Sequence, residues 1–299
     1  GDIGQGVATI LREARPEIEL FGVDVHTQHG GHLLVNHFLL VPNANSSNYL
    51  AALKKIVKEH KIDAVIPMSE PELNTVLPFF GLDSDIKWIT AGASVVKAGL
   101  DKFKTMQALI DIGIPIPWTI LVSDGYPISY PCILKNRAGS GSRVVFIVKN
   151  DEDADCLAKQ YPDAIFQELL EPNDREVTCA VYRRKDGKVF TLLMLRRLSG
   201  GFTGWAKVIK DDAANEMCET IAKGLNLQGS MNIQMRLTDK GPRVFEINPR
   251  FSSTVLMRHR LGFSDVLWAI DEVEGKLINF PEIPKDQMMA RVQSATIYS

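Results

Sequence analysis

The fold is decided by the stretch Val244-Phe245-Glu246-Ile247-Asn248-Pro249-Arg250, taken together with the run Asn232-Ile233-Gln234-Met235-Arg236-Leu237 shortly before it. Both runs alternate polar and apolar residues. Because successive side chains of a strand point to opposite faces, the polar residues of each run share one face. The apolar residues, Phe245 and Ile247 among them, are predicted to point to the core, and Pro249 marks the end of ladder pairing. The sequence therefore predicts two strands with a common polar face.

The connection between these strands sets which polar side chains meet. A three-residue loop that ends on glycine, here Asp239–Gly241, is a favoured hairpin connection. This loop predicts three cross-strand pairs, which are Thr238 with Pro242, Gln234 with Glu246, and Asn232 with Asn248. A carboxylate and amides grouped on rigid strands suit a hard divalent cation that also binds phosphate oxygens, and Arg250 adds a fixed cation beside them. The alternative is a solvated polar sheet face.

The composition is that of an ordinary globular protein. A chain of 299 residues exceeds the usual size of one hydrophobic core, so two or three lobes are expected. The formal net charge of -2 gives no general attraction to nucleic acid or to an anionic membrane, so any phosphate binding must be local. The sequence shows no apolar run of the roughly 18 residues that a membrane helix needs and no signal-peptide pattern. These features predict a cytoplasmic protein without nucleic-acid or membrane partners.

Zinc-type patterns are weak in this sequence. The cysteines are far apart and form no close pair, so reduced thiols are expected; they are Cys132, Cys156, Cys179 and Cys218. A glycine-rich loop carries His26, His29 and His32, which resemble a metal triplet. Since the sequence places neither cysteine nor carboxylate support close by, solvated loop histidines are the preferred interpretation.

The first ninety or so residues alternate strand-like and helical segments, which favours a parallel, doubly wound lobe. The opening Gly1–Gly6 has the spacing G-x-x-G-x-G rather than the dinucleotide fingerprint G-x-G-x-x-G, so a Rossmann-like layer without NAD is predicted. The run Ile18–Val25 is predicted to be a buried strand. Because no strand precedes the glycine turn, we expect this layer to lack one strand. Ser69, Glu70 and Glu72 follow a strand end, where ligands bind, but helix capping by Ser69 explains them equally well.

A glycine-rich hairpin is predicted in the second lobe. Its tip is Asn136–Arg143, between the strands Cys132–Lys135 and Val144–Val148. Backbone N–H groups at such a tip can approach phosphate oxygens, with Lys135 supplying charge at the base. The pattern lacks the Gly-Lys-Ser/Thr of a P-loop and the catalytic motifs of a protein kinase. The alternative is an ordinary flexible turn.

Further along, the strand-like run Ile165–Glu171 leads into an extended connector, and Glu176 heads the next strand. Backbone groups of such a connector suit an adenine edge, and Glu176 suits ribose hydroxyls. A second glycine-rich loop, Leu198–Trp205, precedes a predicted helix from Asp211 to Leu225. Five basic residues are candidates for holding an anionic substrate, although solvated surface charge is the preferred interpretation of each; they are Arg196, Arg197, Lys207, Arg258 and Arg260.

These motifs occur in the order found in ATP-grasp enzymes. The chain resembles one synthetic half of the carbamoyl-phosphate synthetase large chain, and it is also similar to biotin carboxylase. The likeness extends over nearly the whole chain, and its most specific part is the Asn-x-Gln strand followed by Glu-x-Asn-Pro-Arg. It implies an α/β protein with α+β lobes, namely an ATP-grasp fold with an N-terminal Rossmann-like pre-ATP-grasp domain. The implied boundaries are 1–93 for that domain, 94–170 for a small lid with the glycine hairpin, and 171–299 for the catalytic subdomain.

The resemblance also implies residue roles. Lys102 and Lys135 would contact ATP phosphates under the hairpin, whose residues are Ala138, Gly139, Ser140, Gly141 and Ser142. The connector Glu168, Leu169 and Leu170 would bind adenine, and Glu176 would hold the ribose. The implied ligands of Mg²⁺, or alternatively Mn²⁺, are Gln234, Glu246 and Asn248. Arg250 would stabilise the transferred phosphoryl group, so the catalytic residues are Arg250, Lys135 and Asn248.

The family chemistry predicted here is ATP-dependent activation of a carboxylate for attack by an amine or thiol. The partners are then small molecules, and a homodimer is one compatible assembly. The sequence departs from the synthetase pattern because it has a single unit, carries Lys102 where arginine is usual, and shows no amidotransferase or biotin-carrying segment. Carbamoyl phosphate synthesis is therefore not predicted. Two alternatives are a nucleotide-binding regulator that transfers nothing and a small-molecule kinase.

Overall fold

The computed structural model describes residues 1–80, 86–139 and 144–292. The elements of the N-terminal part are α1 (Asp2–Ala14), β1 (Phe21–Asp24), β2 (His37–Leu40), α2 (Tyr49–Glu59), β3 (Ala64–Val65), α3 (Glu70–Val76) and β4 (Lys87–Trp88). Strand β1 pairs with β2 and β3 pairs with β4, both in parallel, as the alternation of strands and helices predicts. Short 3-10 turns lie at Gly30–Leu34, Leu77–Phe79 and Val122–Asp124.

The strands of this part are shorter than the sequence predicts. The run Ile18–Val25 forms a strand only at β1, and all four residues of β1 are half-buried rather than buried. Only these four residues pair with β2. Within the described ranges no ladder joins the two strand pairs, and one large cavity is lined by residues of both, including Val23 and Val65. That this layer lacks a strand stays a prediction.

The middle of the chain forms a small antiparallel sheet. Its elements are α4 (Ala93–Gly99), α5 (Lys102–Asp111), β5 (Thr119–Leu121), β6 (Cys132–Asn136), β7 (Val145–Val148), α6 (Asp151–Gln160) and β8 (Ala164–Glu168). The strand order is β5-β8-β6-β7, and Leu134, Val148 and Phe166 pack in its core. Helix α5 begins at Lys102 because the Asp101 carboxylate caps it, accepting from the backbone N–H groups of Phe103 at 3.0 Å and Lys104 at 3.2 Å.

The C-terminal part is built on a six-stranded sheet of order β13-β12-β9-β10-β11-β14. Its elements are β9 (Glu176–Arg183), β10 (Val189–Ser199), β11 (Phe202–Val208), α7 (Asp212–Gly224), β12 (Gly229–Thr238), β13 (Gly241–Asn248), α8 (Val255–Arg260), α9 (Asp265–Val273) and β14 (Met288–Ala290). One face packs on α7 through residues such as Ile233 and Ile247. The other packs on α1, α8 and α9 through residues such as Tyr182 and Trp268.

The hairpin of β12 and β13 confirms the two cross-strand pairs that matter and corrects the turn. Gln234 pairs with Glu246 and Asn232 pairs with Asn248, as predicted. The predicted pairing of Thr238 with Pro242 is wrong, because Thr238 pairs with Gly241 across a two-residue turn. The register shifts by one residue between Gln234 and Met235, because Gln234 pairs with Glu246 while Met235 pairs with Val244. Phe245 of β13 therefore has no partner on β12 and lies in a bulge. Phe245 is therefore half-buried and not in the core as predicted.

Arg258 is a buried structural residue and neither a surface charge nor a group that holds a substrate. It is fully buried, and its Nε donates to Asp265 Oδ1 at 3.1 Å while its Nη2 donates to the second carboxylate oxygen. Its Nη1 donates to the hydroxyl of Ser252 at 3.1 Å. Periodicity could not reveal this, because the partner Asp265 lies on the next helix. By contrast, Lys207 and Arg260 form surface ion pairs with Asp286 and Glu13.

Two expectations from composition concern membrane helices and thiols. No helix within the described ranges is long and apolar enough to cross a membrane. All four cysteines are free thiols, and three of them are buried.

Candidate active site

The predicted metal ligands lie together on the polar face of β12 and β13. Gln234 is directly opposite Glu246, and Asn248 is opposite Asn232. Asn248 and Asn232 are buried at 6% and 1% exposure, and the Asn232 side chain accepts from the Thr178 hydroxyl at 3.0 Å. Three oxygen donors of the type that magnesium prefers are thus held on rigid strands. Their role as metal ligands stays a prediction.

Two lysines approach this patch from the small sheet and α5. Lys102 Nζ lies 3.7 Å from Glu246 Oε1 and donates to the carbonyl of Gly139 at 2.6 Å. Lys135 Nζ donates to the carbonyl of Phe245 at 3.1 Å and lies 5.5 Å from the centre of its ring. The bulge at Phe245 therefore supplies the partner of Lys135. The structure brings both lysines to the patch, as their predicted phosphate-binding role requires.

The environment of Lys135 lowers the pKa of its side chain. Burial away from water lowers the pKa of its ammonium from the usual 10.5 to about 8, because a charge is poorly solvated there. The Glu246 carboxylate opposes this shift, and the charge of Lys102 adds to it. At neutral pH Lys135 thus remains mostly protonated, as a phosphate-binding group should be.

Arg250 is half-buried, and its Nε is unused. Its side chain is 9% exposed, and it donates to the carbonyl of Phe251 at 3.2 Å and to Glu70 at 3.4 Å. Its Nε is buried and has no hydrogen-bond partner within the described residues. A buried N–H without a partner is costly, so this atom suits an anion such as a phosphoryl or carboxylate group. Sequence reasoning identified Arg250 but not its partner.

The three polar residues that follow β3, which are Ser69, Glu70 and Glu72, have different roles. Ser69 caps α3 with Glu72 in a reciprocal capping box, which confirms the capping interpretation. Glu72 also accepts from the Tyr49 hydroxyl at 3.0 Å, so it is a structural group. Glu70 instead faces Arg250 across the interface of the two lobes. The position of Glu70 just beyond a strand end was the only signal in the sequence for this contact.

Glu176 lies at the start of β9, as predicted, and is held by two arginines. Arg196 Nη2 and Nε donate to Oε1 at 2.6 Å and 2.8 Å, and Arg236 Nη2 donates to Oε2 at 3.0 Å. Arg196 Nη2 also donates to Gln234 Oε1 at 3.0 Å. The preferred interpretation of Arg196 as a solvated surface charge is therefore wrong. Strand alternation predicted Arg236 on this face. Arg196 reaches Glu176 because β10 pairs with β9, and that pairing cannot be predicted from local sequence.

The connector and the hairpin base are also in place. The Glu168 carboxylate accepts from the Trp118 N–H at 3.2 Å, and Leu169 and Leu170 follow it as a half-buried and a buried residue. At the hairpin, Ala138 and Gly139 are exposed. The remaining predicted hairpin residues, Ser140, Gly141 and Ser142, lie outside the described residues. The base is tied to α5, since Lys102 N–H donates to the carbonyl of Arg137 at 2.9 Å.

A cavity of about 1230 Å³ opens beside the metal patch and extends to the N-terminus of α1. Four predicted site residues line it, namely Gln234, Glu246, Asn248 and Arg250. The predicted nucleotide-binding residues do not line it; these are Lys102, Lys135, Glu168, Leu169, Leu170 and Glu176. A volume above the roughly 300–1,000 Å³ of common ligand sites leaves room for more than one small molecule.

The histidine loop differs from the sequence interpretation, because a carboxylate is close by. Asp24, His26 and His29 offer ligand atoms that all lie within 4.8 Å of one another. However, His29 Nδ1 accepts from the Gly31 N–H at 3.0 Å, which places the proton of a neutral ring on Nε2, 3.4 Å from Asp24 Oδ2. A metal at Nε2 would have to displace that proton and the Gly31 contact.

Comparisons with known proteins show which family models and relatives parts of this chain resemble. Residues 160–297 match the family model described as ATP-grasp in the biosynthetic pathway with Ter operon. Residues 5–77 match the model of the PylC-like N-terminal domain. A carbamoyl-phosphate synthase of Methanobrevibacter smithii is 24% identical over 139 residues, which make up 43% of this chain and 38% of that protein. The match thus spans well under half of that relative.

Solved structures cover more of the chain. The N5-carboxyaminoimidazole synthetase of Staphylococcus aureus, complexed with ADP, gives a TM-score of 0.81 at 17% identity and covers 98% of this chain and 80% of that chain. The biotin carboxylase of Campylobacter jejuni gives a TM-score of 0.73 at 18% identity, with 96% and 72% covered. At these identities the likeness shows a shared fold and leaves substrates open.

Proposed function

We propose, from the premise that this chain has the ATP-grasp fold with an N-terminal Rossmann-like domain, that it is an ATP- and magnesium-dependent ligase. The fold expected from the sequence is confirmed by the likenesses above. The proposed activity is activation of a carboxylate as an acyl phosphate, which an amine or thiol then attacks. The observation that carries it is that Gln234, Glu246 and Asn248 line one cavity together with Arg250, whose Nε has no partner within the described residues.

The charges around this patch fit a magnesium-bound triphosphate. The cations Lys102, Lys135 and Arg250 come from three different segments, whereas Glu246 is the one carboxylate among the proposed metal ligands. With Glu70 beside Arg250, the patch holds three cations and two carboxylates, and the remaining positive charge favours a polyanion. The oxygen donors suit Mg²⁺, and Mn²⁺ is a second metal that the same ligands accept. The metal would neutralise charge on the phosphates.

Nucleotide contacts are assigned in the same way. Lys102, Lys135 and the hairpin of residues 138–142 are proposed to hold the phosphates, and Glu168 to Leu170 the adenine. Glu176 is proposed to hold the ribose. Arg196 donates twice to Oε1, whereas Oε2 accepts from Arg236 and retains a lone pair for a hydroxyl donor. The arginines therefore orient Glu176 and leave one acceptor site on Oε2.

The chemistry proceeds in two balanced steps. A carboxylate oxygen of the substrate bonds to the γ-phosphorus of ATP, the bond from that phosphorus to the bridging oxygen breaks, and ADP leaves with the electron pair. An amine nitrogen or thiol sulfur then bonds to the acyl carbon, phosphate leaves, and the nucleophile loses its proton to water. The residues of the chain position the groups and neutralise charge, which is the main requirement of phosphoryl transfer. Closure of the hairpin would exclude water from the acyl phosphate.

The test is ADP release from ATP and Mg²⁺, with small carboxylates and amines or thiols supplied in pairs. The ligase predicts rapid ADP release only when both partners are present. Equal release with the carboxylate alone would indicate a kinase. Tight binding of Mg·ATP without any release would support the regulator instead. A homodimer also stays a prediction, and the molar mass in solution would test it.

A further inference from the structure

The second glycine-rich segment is a tight hairpin and not an open loop. Strands β10 and β11 pair as far as Ser199 and Phe202, and the turn between them is Gly200–Gly201. Both glycines have positive φ angles, +58° and +82°, which a two-residue turn of this type requires. The tip therefore has a defined shape, and no role has yet been assigned to it.

The tip carries two exposed apolar side chains. Leu198 is 48% exposed and Phe202 is 47% exposed, and both line the cavity that also contains Asn248 and Arg250. Leu198 pairs with Thr203 and Phe202 pairs with Ser199, so the two side chains leave the hairpin from opposite faces and line the cavity on either side of its tip. The lining of the cavity is more apolar than polar, and a ligand with an apolar part would remove both side chains from water.

Arg291 holds the tip rigidly against the rest of the cavity wall. Its backbone N–H donates to the carbonyl of Gly204 at 2.8 Å, and its Nε donates to the carbonyl of Thr203 at 3.2 Å. Its Nη1 donates to Asp2 at 2.7 Å and its Nη2 to the carbonyl of Ser253 at 2.5 Å. The guanidinium also lies 5.7 Å from the centre of the Phe202 ring. The apolar pair is therefore a fixed wall and not a loose loop.

Two arginines lie near the hairpin tip. Each nitrogen of the Arg291 guanidinium already donates to one protein acceptor. Arg197, also near the tip, donates to the carbonyl of Asp174 at 2.6 Å and lies on the opposite face of β10 from Leu198. Among the described residues that line the cavity, the buried nitrogens without a hydrogen-bond partner are the Nε of Arg250 and the Nε2 of His29. Of the two, Arg250 lies just after β13, which carries Glu246 and Asn248.

We propose that Leu198 and Phe202 form the specificity wall of the carboxylate site and select a carboxylic acid that carries an aliphatic or aromatic group. The carboxylate lies at Arg250, and the apolar group lies against the hairpin tip. This inference rests on the proposed function, because it places the activated carboxylate at the same site. It adds the chemical class of the substrate and two residues that determine it.

Calorimetric titration tests the proposal with 4-phenylbutanoate and glutarate as probes, on the protein saturated with Mg²⁺ and the β,γ-imido analogue of ATP. We expect 4-phenylbutanoate to bind at least about tenfold more tightly than glutarate, because burying several methylene and ring carbons favours it. Leu198→Ser and Phe202→Ser should each weaken its binding by about tenfold. The matched control is Leu277→Ser, since Leu277 is 78% exposed and does not line the cavity.

Three outcomes would contradict the proposal. The first is that glutarate binds as tightly as 4-phenylbutanoate, and the second is that 4-phenylbutanoate does not bind measurably. The third is that the variants bind 4-phenylbutanoate like the wild type. Circular dichroism and thermal melting of each variant separate a lost contact from a lost fold. The nucleotide titration is made first, so that failure to bind Mg·nucleotide counts against the proposed function. Bound nucleotide without the apolar preference counts against the specificity wall alone.

Discussion

Replacing Lys135 with methionine should stabilise the fold at neutral pH while removing turnover. Lys135 is 8% exposed, and burial lowers its pKa from 10.5 to about 8. Since one pKa unit corresponds to about 1.4 kcal/mol, keeping this ammonium charged in the folded protein costs about 3 kcal/mol. Methionine is similar in length and uncharged, but it leaves the carbonyl of Phe245 without its donor, which costs about 1 kcal/mol. The expected net gain in the free energy of unfolding is about 2 kcal/mol.

The pH dependence separates this electrostatic cost from packing. The folded pKa of Lys135 is depressed, so the folded protein releases this proton at about pH 8 and the unfolded chain only near 10.5. Between these values the unfolded chain binds more protons, and the free energy of unfolding contributed by Lys135 therefore rises with pH. As the pH approaches 10.5, the wild type should therefore regain most of the roughly 3 kcal/mol that the buried charge costs at neutral pH. The advantage of Lys135→Met should shrink accordingly.

The assay is urea denaturation of both proteins at pH 7 and at about pH 9.5, with Mg-dependent ADP release measured at neutral pH. Turnover of Lys135→Met should fall by about a hundredfold or more, because a phosphate-binding charge is lost. A variant that is less stable than the wild type by the same amount at both pH values would refute the reasoning, since a packing loss does not titrate. A stabilised variant with full turnover would refute the placement of Lys135 at the phosphates.

Further predictions concern the metal ligand, the hairpin, the histidine cluster and the buried ion pair. Glu246→Gln should keep the fold and lower magnesium-dependent turnover by about a hundredfold or more. The control Asp239→Asn, at a 92% exposed side chain on the same hairpin, should change nothing; equal rates for both variants would contradict the metal assignment. Alanine at both Gly139 and Gly141 should reduce kcat more than it weakens ATP binding in calorimetry, and the reverse would argue against a closing hairpin. A strong zinc chelator in excess Mg²⁺ should leave turnover intact, whereas inactivation would assign a required metal to the histidine cluster. Arg258→Leu should lower the free energy of unfolding in urea by about 3–5 kcal/mol, because Asp265 is left buried without its partner, and a loss below about 1 kcal/mol would contradict that account.

Local periodicity predicted which polar side chains of β12 and β13 share one face. Alternation alone put Gln234 and Glu246 on one face, and the first strand residue after the connector was correctly identified as Glu176. Helix limits were also predictable where a side chain caps the helix, as Asp211 does for α7. These features depend on neighbours within a few residues. That is the range over which a sequence can be interpreted without knowing how distant strands pair.

The contacts that could not be predicted all join segments that are distant in sequence. Arg196 reaches Glu176 because β10 pairs with β9, and Arg250, just after β13, lies 3.4 Å from Glu70 at the start of α3. Arg258 looks like a surface residue of a short basic helix until its partner Asp265 is seen. In each case the charge of the residue was visible but its burial was not. Burial decides whether such a charge is a structural ion pair or a group available to a ligand.

The bulge at Phe245 explains why a wrong turn still led to the right site. A two-residue turn at Asp239–Lys240 with an unbroken ladder would put Phe245 opposite Gln234 and turn Glu246 to the core face. The extra residue in β13 restores the pairing of Gln234 with Glu246, which a three-residue loop would also have produced. The displaced Phe245 then turns its carbonyl toward Lys135 Nζ at 3.1 Å. One inserted residue thus sets both the face of the metal ligand and the position of the buried lysine, so removing the bulge should disrupt the two together.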